Sequence, residues 1–125
     1  MRVVTPERMR EIEGRAIRDL EIDGLLLMER AALALAREIR QEGCRSVLAV
    51  CGVGNNGGDA YACARILHLW GVRVTLLPLC GQERLTGDAQ KNARICARLR
   101  IPSISLDEVD ASRGYDAVID GIFGT

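Results

Sequence analysis

The stretch that most constrains this chain is the passage from Ser46-Val47-Leu48-Ala49-Val50-Cys51 into Gly52-Val53-Gly54-Asn55-Asn56-Gly57-Gly58-Asp59. A run with no charged side chain reads as a strand buried on both faces, which is what a parallel α/β sheet asks of its strands. The glycine-rich segment over 52–58 reads as a loop, and residues 59–70 are predicted to form a helix closed by Gly71. Val72 to Leu79 form a second buried strand, limited at its far end by Pro78. Thr86 to Arg100 read as a second crossover helix stopped by Pro102, residues 104–106 as a short third strand, and residues 115–120 as another apolar strand. Strand and helix alternate at βαβ spacing. Right-handed crossovers then give an open, doubly wound, mostly parallel sheet with helices on both faces.

Two helices precede this unit. Thr5-Pro6-Glu7 combines an N-cap hydroxyl, proline at the first helical position and an acid, and Met9, Ile12, Ala16 and Leu20 follow at helical spacing to about Glu21. Asp23-Gly24 interrupts, and a second amphipathic helix is predicted from Leu25 to Arg40.

Composition removes several function classes. The 17 basic and 17 acidic residues of the 125 cancel, so no net field draws the chain to nucleic acid or an anionic membrane. Trp70, Tyr61, Tyr115 and Phe123 are its only aromatic residues, too few for a base-stacking platform. The five cysteines contain no C-x-x-C pair and meet one histidine, His68, so zinc spacing is absent. Buried reduced thiols in a cytoplasmic protein are expected instead. No apolar run approaches the roughly 18 residues that span a bilayer. The chain stops in the apolar, glycine-rich Gly121-Ile122-Phe123-Gly124-Thr125. Residues 1–125 are therefore expected to be the N-terminal part of one truncated domain.

In a sheet of this kind ligands bind outside the carboxyl ends of the strands. Gly52, Gly54 and Gly57 match the G-x-G-x-x-G fingerprint between a strand and a helix. The acid a nicotinamide dehydrogenase carries after the second strand is missing, since Leu79, Cys80 and Gly81 stand there, and no Gly-Lys-Ser/Thr makes a Walker loop. Asn55, Asn56 and Asp59 supply oxygen ligands of the kind hard cations take, and Asp120, ending another strand, is expected to point a second carboxylate into the same crevice. The same residues also read as turn chemistry at Asn55-Asn56-Gly57 and a helix N-cap at Asp59.

Gly54-Asn55-Asn56-Gly57-Gly58-Asp59, followed by Ala64-Arg65-Ile66-Leu67 and by Val118-Ile119-Asp120-Gly121-Ile122-Phe123-Gly124-Thr125, resembles the NAD(P)H-hydrate epimerase family, the YjeF N-terminal domain. Thr5, Met9-Arg10 and Leu27-Met28-Glu29 resemble that family's leading helices. The resemblance implies a Rossmann-like fold and an isomerase that interconverts the R and S forms of hydrated NADH and NADPH, in nicotinamide cofactor repair. It implies substrate binding by Asn55, Asn56, Gly57, Gly58, Asp59, Gly124 and Thr125. It also implies a potassium ion held by Asn56 and Asp120, a catalytic role for Asp120, and a homodimer. Arg30 stands where the family commonly has asparagine, and Ala60 where it commonly has glycine. The alternative is a non-catalytic ligand-binding or dimerisation module of the same fold.

Overall fold

Ser46–Cys51 forms the central strand, β1, flanked by β2 (Arg73–Pro78) and β3 (Ala117–Gly121) in the parallel order β2-β1-β3. The computed structural model describes residues 3–110 and 112–123. Cys51 stands level with Pro78 on one side and Gly121 on the other, so the carboxyl ends of all three strands share one edge. Val47, Ala49 and Cys51 are wholly buried, and with Val74, Leu76 and Ile119 they belong to a single aliphatic cluster. On the other face Val118 is 59% exposed.

Helix α3 (Asn55–Leu69) lies against all three strands, and α2 (Gly24–Gln41) and α4 (Gly87–Arg98) pack against it. That position explains why α3 is apolar around most of its circumference: Ala60, Ala62, Cys63, Ala64, Ile66 and Leu67 are all buried. The neighbours meet it with small side chains, Ala32 and Ala36 on α2 and Ala89 and Ala93 on α4, which allow close axial approach. Leu67 is fully enclosed, and truncating such a leucine costs about 2–5 kcal/mol. At the far end of α3, the Arg40 guanidinium stacks 4.0 Å above the Trp70 ring and ties the ends of α2 and α3 together.

Helix α1 (Pro6–Asp19) begins as its sequence requires, with the Thr5 hydroxyl accepting the Arg8 N–H at 3.2 Å. Asp23 caps α2 in the same way through the Leu25 N–H at 2.9 Å. The two helices then differ. Helix α2 buries Met28, Ala32, Ala36 and Ile39, whereas α1 buries no residue. Among the described residues no helix is long and apolar enough to cross a membrane.

Two local expectations are corrected. Residues 104–106 do not form a strand. The chain there makes one isolated bridge, Leu76 with Ser103, in which the Leu76 N–H donates to Pro102 O at 2.8 Å and the Ile104 N–H to Leu76 O at 2.9 Å. Pro102 has no N–H to extend the ladder, and Ser105 with Glu108 closes a capping box that turns Leu106–Glu108 into a short 3-10 helix. The second correction is larger: Asn55-Asn56-Gly57-Gly58 are not a loop before the helix but its first turn.

The cause is a contact between backbones. A Cβ on Gly57 would run into the carbonyl of Gly52, and one on Gly58 would meet Met28 Cε and the Cα of Ala89. Bare backbone at both positions lets α3 start directly against the end of β1 and beneath α2 and α4. Gly54, the N-cap, has no side-chain cap, lies in extended backbone, and has open space where a Cβ would go. Gly57→Ala is therefore expected to lower the unfolding free energy by about 1–3 kcal/mol. Gly54→Ser, which adds the missing cap hydroxyl into open space, should hold or raise it. Urea denaturation midpoints of the two variants check this.

Candidate active site

The shared carboxyl edge of the strands and the N-terminus of α3 lie beside α1, and a cavity of about 400 Å3 opens between them. Gly54, Asn55, Asn56 and Asp59 line it from the α3 side, Phe123 from beyond β3, and Pro6, Met9, Arg10 and Glu13 from α1. A smaller adjoining cavity of about 150 Å3 is bordered by Glu13, Asn55 and Asp59 again, together with Leu27, Met28 and Asp88. Glu13, Asn55 and Asp59 thus border both spaces.

Asn56 links the two strand ends. Its Nδ2 donates to the backbone carbonyl of Phe123 at 2.6 Å and to that of Asp120 at 3.4 Å. The first turn of α3 is thereby fastened to the segment leaving β3, and an amide and two carbonyls gather at one point. The Asn56 atom at this point is the Nδ2 donor, and both carbonyls accept from it. Among the described residues no three His, Cys, Asp or Glu side chains converge as metal ligands.

The carboxylates have different surroundings. Burial, and secondarily the charge of Glu13, push the Asp59 carboxyl up to about 6. Asp59 therefore holds a proton more tightly than an ordinary carboxylate, at a cavity wall. Asp120 is exposed, and its Oδ1 accepts the Ile122 N–H at 3.1 Å, which shapes the turn leaving β3. Its backbone carbonyl, not its carboxylate, is what meets Asn56. Gly57 and Gly58 are buried against Gly52, Met28 and Ala89 and border neither cavity. Gly124 and Thr125 lie outside the described residues.

Arg65 donates to Glu29 across α3 and α2, with the guanidinium side chain 15% and the carboxylate side chain 43% exposed. Ala60 is buried with its Cβ over Gly121, where a second Cβ would stand 2.6 Å away. Arg30 is exposed. Sequence reasoning missed the contribution of α1. Pro6, Met9, Arg10 and Glu13 recur at the three- and four-residue spacing of one helical face, but nothing in the periodicity indicates that this face borders a cavity.

The geometry has parallels among known proteins. Over 98% of its length the chain is 39% identical to the NAD(P)H-hydrate epimerase of Rhodopirellula baltica, of which it covers 52%. It is 36% identical to the NAD(P)H-hydrate epimerase of Limosilactobacillus reuteri, again over 98% of its length and covering 58% of that protein. The crystal structure of yeast ynu0 matches 99% of the chain with a TM-score of 0.82 at 26% identity, and the match covers 57% of the yeast chain. The chain spans about half the length of the curated relatives it matches. Residues 24–125 match the family described as YjeF-related protein N-terminus, and the chain belongs to that family.

Proposed function

We propose that this chain carries the first part of an NAD(P)H-hydrate epimerase site, one that interconverts the R and S forms of hydrated NADH and NADPH. The observation that carries the proposal is the cavity bounded by Asn55, Asn56 and Asp59, whose carboxyl is raised to about 6, at the start of α3. The relatives named for this activity support it.

The reaction requires a hydroxyl to leave one face of the hydrated nicotinamide ring and water to return to the other. In this reading the Asp59 carboxyl donates its proton to the hydroxyl as the C–O bond breaks, and water departs. The ring nitrogen lone pair stabilises the cation that remains. Glu13 borders the same cavity and is the carboxylate available to take a proton from the water that adds to the opposite face. Asn55 and Asn56 orient the substrate, and Gly54 leaves it room. Gly124 and Thr125 extend the substrate-binding segment beyond Phe123.

A potassium ion would be held by Asn56, through Oδ1 rather than the Nδ2 that meets the carbonyls, and by Asp120. A bound potassium ion supplies positive charge near the substrate's phosphates and stiffens the corner. Asp120 then works by building the turn, while Asp59 carries the proton. The five cysteines are all free, which suits a reducing, cytoplasmic setting. The exposed Ile12 and Leu20 of α1 support a homodimer.

Turnover of one pure epimer by the full-length protein tests the division of labour. Asp59→Asn should lower the rate about 100-fold or more. Asp120→Asn retains an acceptor for the Ile122 N–H and should lose less than about tenfold at saturating potassium, while raising the potassium concentration required. A wild-type rate in Asp59→Asn would remove Asp59 from the mechanism.

Asp59 also makes a signed stability prediction. Its carboxyl is raised in the folded chain, so between about pH 4 and 6 the folded state keeps a proton the unfolded state has released, and stability falls as pH rises through that window. Asp59→Asn should therefore unfold at a higher temperature than wild type near pH 7.5, and the gap should close near pH 4, as calorimetry at the two pH values would record.

A further inference from the structure

Tyr61, on the second turn of α3, is 3% exposed, yet its hydroxyl makes no hydrogen bond to any described residue. Buried polar groups are partnered as a rule. Arg65 Nε is the fully enclosed side-chain polar atom left without a partner among the described residues, so the Tyr61 hydroxyl is not sealed in protein. The open space that Tyr61 borders is a cavity of about 230 Å3 at the carboxyl end of β2.

This cavity shares no lining residue with the two described above. Leu76 and Pro78 of β2, Ala93 and Ala97 of α4, and Ile101 make it apolar, and Gln82 and Ser103 add polar groups. Among the described residues no charged side chain borders it. An ionised group entering would lose its water without gaining a counter-charge, so the walls select against phosphates and carboxylates. The small side chains of Ala93 and Ala97, four residues apart on one face of α4, are what keep the space open. By the scale on which drug-sized ligands fill roughly 300–1,000 Å3, this volume takes on the order of ten non-hydrogen atoms. Burial first, and then the Cys51, Cys80 and Cys96 thiols, push the Tyr61 phenol above its ordinary value, so it stays a donor.

We propose that this cavity is a second binding site, for an uncharged planar heterocycle of one or two rings held by a hydrogen bond from the Tyr61 hydroxyl to a ring nitrogen or carbonyl.

Adenine, an uncharged two-ring base, is the probe, titrated calorimetrically into the full-length protein. Adenine should bind at one site per chain. Tyr61→Phe removes only the hydroxyl and should weaken binding about two- to tenfold. Ala97→Leu, a substitution at an exposed helix position, should fill the cavity and abolish binding while leaving the melting temperature unchanged. Asp59→Asn should bind adenine as wild type does. No binding of adenine at millimolar concentration, binding indifferent to both Tyr61→Phe and Ala97→Leu, or binding lost in Asp59→Asn would each overturn the proposal. The readout is adenine binding rather than turnover, so it stands or falls separately from the epimerase reading.

Discussion

The rest of this structure depends on the approach of one backbone to another, the first turn of α3 against the end of β1. Gly57 touches Gly52 where no side chain fits, and Gly58 does the same beneath Met28 and Ala89. With α3 seated that close, Asn56 reaches the carbonyls beyond β3, Asp59 comes to the cavity under α1, and Tyr61 comes to the end of β2. Shifting the helix start by the width of a methyl group would loosen all three arrangements together. The fingerprint glycines therefore divide their work: Gly52 and Gly57 close the packing, and Gly54 leaves the cavity open.

Much of this was legible in the residues. The uncharged run over 46–51 has the same bounds as β1, and the crossover spacing called for the parallel order that the register displays. The beginning of α3 was not legible, because Asn-Asn-Gly-Gly has the composition of a turn. Only the tertiary contact with Gly52 makes helical backbone the better choice there. The strand expected at 104–106 failed for a similar reason: local apolar character did not outweigh Pro102 on one side and the Ser105–Glu108 capping box on the other.

The site divides along the same line. Asn55, Asn56 and Asp59 could be named from their types and their place after a buried strand, and all three border the cavity. Glu13 could not. Helical periodicity separates the apolar face of α1 from its polar face, but it does not say whether the polar face looks at water or at another carboxylate. Asp120 was likewise named from its place at a strand end, and in the fold one of its carboxylate oxygens also accepts the Ile122 N–H.

What distinguishes Asp59 is thus its environment, half-buried and beside Glu13, whereas Glu29 on α2 is paired with Arg65. That carboxyl holds a proton more tightly than an ordinary carboxylate, at a cavity wall. The most direct measurement is a carboxyl-carbon NMR titration of Asp59 in the full-length protein, with Glu13→Gln alongside. A midpoint of about 6 that moves down in Glu13→Gln is the expected result. A midpoint at the ordinary aspartate value, unchanged by the substitution, would contradict it.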